Sequence, residues 1–69
     1  MTIVKKIKMA ETYIGITKSE LARRLGTSAS ALNQRMKTGK FTSEELDSIA
    51  EALGARFVCY IEFPDGTRI

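Results

Sequence analysis

Thr17-Lys18-Ser19-Glu20-Leu21-Ala22-Arg23-Arg24-Leu25-Gly26-Thr27-Ser28 is the stretch whose reading decides the fold of this 69-residue chain. Thr17 and Glu20 stand at the spacing of a capping box, in which each side chain takes an exposed backbone N–H at the start of a helix. Ile16 before the cap and Leu21 inside it form the hydrophobic staple that sets the angle of the incoming chain. Leu21, Ala22 and Leu25 then share a buried face, with Arg23 and Arg24 pointing away. Gly26 follows after only two turns, and Thr27-Ser28 caps another helix at once, so the link between the two helices is very tight. In the second helix, over 28–37, Leu32 and Met36 lie one turn apart on the buried side. Asn33, Gln34, Arg35 and Lys37 occupy the other sides, and Thr38-Gly39-Lys40 ends the helix.

The pattern extends in both directions. Upstream, Ile3, Ile7, Ala10 and Ile14 recur at spacings of four, three and four, which predicts a first helix capped by Thr2 and closed by Gly15. Downstream, Thr42 and Glu45 form a second capping box with Phe41 and Leu46 as its staple. Leu46, Ile49, Ala50 and Leu53 carry an apolar stripe up to Gly54. Beyond Gly54 the period changes to two. Phe57, Cys59, Ile61 and Phe63 alternate with Arg56, Val58, Tyr60 and Glu62, which predicts a strand over 56–63. Cys59, on its inward face, reads as a small buried apolar residue rather than a reactive thiol. Pro64-Asp65-Gly66 is a turn signature, after which Thr67, Arg68 and Ile69 can return as a short second strand.

Leu21-Ala22-Arg23-Arg24-Leu25-Gly26-Thr27-Ser28, followed by Leu32, resembles the helix-turn-helix of the lambda repressor and Cro-type (XRE-like) DNA-binding family. The resemblance covers most of the chain, since that family adds a leading helix, here Ile3–Ile14, and a following one, here 43–53. It implies a mainly α fold: a lambda-repressor-like four-helix domain over 1–69, with the helix-turn-helix at 17–37 and a C-terminal β-strand or hairpin at 55–69. The bland alternative is a four-helix bundle whose tight turn mimics the motif. In the family the small residue, here Ala22, sits where the two helices nearly touch, Gly26 takes the turn, and Leu32 locks the second helix onto the first.

The resemblance also implies that the helix from Ser28 enters the major groove, its first residues meeting base edges. Ala29, Ser30, Asn33 and Gln34 then face the bases. A carboxamide can bond adenine through both donor and acceptor, and Ala29 can meet a thymine methyl. Lys18, Ser19, Ser28, Arg35, Lys37 and Lys40 suit phosphates. Lys18 and Ala29 depart from the family, many members carrying glutamines there that cooperate in reading a base. Lys18 is then expected on a phosphate, leaving Ser30, Asn33 and Gln34 more of the readout.

Short Cro-like proteins dimerise through a C-terminal strand, and the strand here implies a homodimer. Its interface would hold Phe57, Val58, Cys59, Tyr60, Ile61 and Phe63, and would set two reading helices about 34 Å apart. The alternative is a hairpin folded back on the same monomer through 67–69.

Charge fits a polyanionic partner and fits a merely solvated surface about as well. Over 1–40 nine basic residues face two acidic ones, a balance of +7, while 41–69 carries −4. Asymmetry of this kind accompanies nucleic-acid or membrane-surface binding. With Cys59 as its one cysteine the chain has no internal disulfide, which fits a reducing cytoplasm. With no histidine it offers no ligand cluster for zinc, and no cofactor is expected. No apolar run approaches the roughly 20 residues that cross a membrane. An enzyme is not expected: there is no histidine base, nucleophile elbow or glycine-rich phosphate loop, and Glu44 and Glu45 are explained by capping and the helix dipole.

The expected function is that of a sequence-specific double-stranded DNA-binding transcriptional regulator, most simply a repressor acting by occupancy of a palindromic site. The rival is a protein-interaction module of a phage or mobile element, of the antirepressor or anti-CRISPR kind. RNA binding ranks third, because Tyr13, Phe41, Phe57, Tyr60 and Phe63 all read as core or strand residues rather than a stacking platform.

Overall fold

A hydroxyl side chain precedes each helix of the computed structural model, which describes residues 2–69. The helices are α1 (Ile3–Ile14), α2 (Lys18–Leu25), α3 (Ala29–Thr38) and α4 (Ser43–Ala52). Thr2 accepts the Lys5 N–H at 3.3 Å, Thr17 that of Glu20 at 3.1 Å, Ser28 that of Ala31 at 3.1 Å and Thr42 that of Glu45 at 3.1 Å. Each oxygen satisfies one of the four N–H groups that a helix start leaves without an internal partner.

The capping box expected at α4 is complete, the Glu45 carboxylate accepting the Thr42 N–H at 2.9 Å. The one expected at α2 is half made. Glu20 turns away from Thr17 and accepts from Arg23 Nε at 2.7 Å and Arg24 Nε at 3.4 Å. Arg23 engages both carboxylate oxygens and Arg24 adds a second guanidinium, so Glu20 meets more donors and more positive charge there than at one backbone N–H. Between α2 and α3, Gly26 has φ +75°, a left-handed conformation that an L side chain adopts only at a cost. Its geometry lets the Thr27 N–H reach the Ala22 carbonyl at 3.0 Å and closes α2 just before Ser28 opens α3.

The helices enclose one core of Ile7, Leu21, Ala22, Leu32, Met36 and Ile49, with Ile3, Val4, Ile16, Leu25, Phe41, Leu46 and Leu53 packed around it. The helical period marked most of these positions, but not Val4, and Ile14, which it placed on the buried face of α1, is exposed. Leu21 is completely buried. α2 packs against both α3 and α4, the methyl of Ala22 taking little room between them. Arg23 points out as expected, whereas Arg24 turns to the end of α4 and donates to the Ala52 carbonyl.

The predicted strand over 56–63 is absent, and no sheet forms among the described residues. The chain instead folds back on itself. Ile61 and Ile69 exchange N–H···O bonds of 2.6 and 2.9 Å, and the Phe63 N–H reaches the Thr67 carbonyl at 2.8 Å. They flank a single antiparallel bridge between Glu62 and Arg68. The expected turn is present: the Gly66 N–H bonds the Phe63 carbonyl at 2.9 Å and the Asp65 carboxylate accepts the Thr67 N–H at 2.9 Å. A ladder needs a neighbour along its whole length, and here only Ile61 and Phe63 find backbone partners, in Ile69 and Thr67. Burial fails with pairing. Phe57 is half-buried, but Cys59, expected inside, is exposed, and so is every residue from 58 to 69. The radius of gyration is 13.3 Å, against about 11 Å for a compact chain of this length, consistent with a segment lying outside the helical core.

Candidate nucleic-acid interface

α3 presents Ser30, Asn33, Gln34 and Lys37 to solvent at spacings of three and four, so the four side chains form one stripe along the helix. Leu32 and Met36 anchor the opposite side in the core, which fixes the stripe's direction. The side chains of Ser30, Asn33 and Gln34 make no hydrogen bond to other described residues. Ala29, expected to share base contacts, is half-buried and packs against the core instead of standing clear on the stripe.

The residues expected on phosphates differ in what they are free to do. Lys18 and Ser19 open α2, Lys18 half-buried and Ser19 exposed; Lys37 and Lys40 are exposed at the far end of α3. Ser28 spends its oxygen as an acceptor in the α3 cap, keeping its O–H to donate. Arg35 is engaged. Its guanidinium bonds both carboxylate oxygens of Glu45 and lies 5.7 Å from the Phe41 ring centre. Glu45 in turn is held below the usual carboxylate range, first by the Thr42 N–H and further by Arg35. The pair thus joins α3 to the start of α4.

All four ion pairs among the described residues use arginine: Arg23 and Arg24 with Glu20, Arg35 with Glu45, and Arg68 with Glu62. The six lysines, all within the first 40 residues, pair with no acid there. The two acids of the same region do not compensate them. Glu20 is bound by two arginines, its carboxyl pulled down to about 2 chiefly by Arg23. Glu11, on α1, is buried at 6% exposure. Burial pushes its carboxyl above the ordinary value, against the attraction of Lys18 and Lys8.

Glu11 was missed in the sequence, although its place was legible: it follows Ile7 by four and precedes Ile14 by three, on the apolar stripe itself.

The residues expected at a subunit interface lie on the C-terminal segment. Phe57 and Val58 border a groove between α1 and α4, while Val58, Tyr60, Ile61 and Phe63 are well exposed. Arg68 covers the Tyr60 ring at 4.5 Å. The aromatic residues are not all core or strand residues as expected: Tyr13 is 90% exposed on α1, and Tyr60 and Phe63 are exposed on the hairpin. Tyr13 stands on a different element from the other two.

No helix among the described residues is long and apolar enough to cross a membrane. The chain matches no known protein family, and no curated protein or solved structure is significantly similar to it.

Proposed function

We propose that this protein is a sequence-specific double-stranded DNA-binding regulator in which α2 and α3 form a helix-turn-helix of the lambda-repressor type. The observation that carries the reading is the uncommitted stripe on α3, Ser30, Asn33, Gln34 and Lys37, set among lysines that no acid neutralises. Carboxamides read base edges in the major groove and ammonium groups hold phosphates. Ala29, half-buried, is the weakest of the base contacts; Lys18, Ser19, Lys37 and Lys40 are the backbone contacts. Arg35 joins them only by exchanging Glu45 for a phosphate.

A dimer completes the proposal, since paired half-sites multiply specificity. With no strand to pair, the contact between copies is the exposed apolar C-terminal segment, Val58 and the hairpin that carries Ile61 and Phe63. That same segment favours the second reading, an interaction module for another protein, because apolar side chains grouped on one exposed segment mark protein contacts.

Fluorescence-anisotropy titration of mixed double-stranded DNA at several salt concentrations tests the reading, alongside the double variant Lys18→Glu, Lys37→Glu. The expected result is binding at roughly micromolar strength or tighter that weakens steeply with salt and is lost in the variant. Absence of binding at low salt overturns the proposal and leaves the protein-interaction reading.

A further inference from the structure

We infer that α1 supplies a DNA-backbone contact of its own, Lys8, so that the basic face spans the start of α2, the middle of α1 and the end of α3; this rests on the DNA-binding reading above.

Val4, Lys8 and Glu11 follow one another at spacings of four and three and therefore share one side of α1. Both neighbours of Lys8 on that side are turned into the protein. Val4 is half-buried, and its Cγ2 lies 3.6 Å from where a Cβ on Gly39 would sit, which sets this side of α1 against the end of α3, beside Lys37 and Lys40. Glu11 is buried near the end of α1, which stops at Ile14 shortly before α2 starts at Lys18. Lys8 is exposed between these two points.

The electrostatics of Glu11 place Lys8 and Lys18 around one carboxylate, since these two cations oppose the effect of its burial. Neither lysine closes an ion pair with it, so their ammonium groups stay available to an incoming anion. An ammonium on a flexible stem suits a phosphate, a point charge without geometric demands. Lys6 provides the contrast. It has the same charge on the same helix, yet it borders the groove between α1 and α4, away from the side that holds Val4 and Glu11.

The test compares the salt dependence of DNA binding for the wild-type chain, Lys8→Gln and Lys6→Gln, with thermal melts showing that all three fold. Each phosphate contact contributes about 0.9 to the slope of log K against log salt. Lys8→Gln is expected to lower the slope by about 0.9 and Lys6→Gln to leave it unchanged. Binding with an unaltered slope in Lys8→Gln, or an equal loss in both variants, overturns the inference while the DNA-binding reading stands. Absence of binding by the wild-type chain overturns both.

Discussion

Arg24 reaches out of α2 and donates through Nη1 to the main-chain carbonyl of Ala52, 3.0 Å away at the last residue of α4. That carbonyl is one of the four that a helix end leaves without an internal partner, and a cation there also meets the negative end of the helix dipole. From the other side Glu20 holds the same guanidinium at 3.4 Å. One side chain thus fastens α2, which carries Lys18 and Ser19, to α4, which braces α3 through Glu45.

Arg24→Met keeps the aliphatic stem and loses the bond to Ala52. The expected cost is about 1 kcal/mol, seen as a fall in Tm of roughly 4–8 °C for a domain of this size. Arg23→Met removes an exposed partner of Glu20 that touches no other element, and a smaller shift is expected in the same thermal scan. Equal shifts would mean that the contact to α4 adds nothing.

Thr42→Ala removes an oxygen that takes part in a reciprocal box, whereas Thr17→Ala removes a cap that Glu20 does not return. N-cap losses cost about 0.5–2 kcal/mol. Thr42→Ala should fall in the upper half of that range and Thr17→Ala in the lower. Urea denaturation at unchanged m-value checks the order.

Leu21 has no exposed surface and sits where α2 meets both α3 and α4. Leu21→Ala should cost about 2–5 kcal/mol, as much as the whole net stability of roughly 3–5 kcal/mol expected of so small a core. The variant is therefore expected to be largely unfolded at 25 °C by far-UV circular dichroism. A cooperative melt near the wild-type temperature would show that the core is not organised around this residue.

Glu20 and Glu11 should make stability depend on pH with opposite signs. Glu20 has its carboxyl pulled down to about 2, so its contribution is present above the unfolded value and is lost as pH falls through about 4.5 towards 2. The Glu11 carboxyl is raised, so its contribution is present below the unfolded value and is lost as pH rises through the folded one. Glu20→Gln should flatten the acid limb of the stability curve. Glu11→Gln should raise stability at neutral pH relative to wild type and remove the decline just above pH 4.5. Urea midpoints between pH 2 and 7 distinguish the two.

The sequence by itself determined the four helices, and the reason is range. The caps at Thr2, Thr17, Ser28 and Thr42 and the closing turn at Gly26 join residues within five positions, and the apolar period that names Ile7, Leu21, Leu32 and Ile49 repeats within one helix. The α3 stripe was legible for the same reason. Tertiary structure decided everything that depends on a distant partner. Arg24 read as pointing away from the core, and its bond to the Ala52 carbonyl, 28 residues along the chain, exists only once α4 packs beside α2. Arg35 read as an open phosphate contact until the turn after α3 brought Glu45 alongside it. Residues 56–63 alternate as a strand does, but alternation describes side chains and a strand exists only when neighbouring backbone takes its N–H and C=O groups. Thr67 and Ile69 take those of Phe63 and Ile61, and Cys59 and the segment around it lie in solvent.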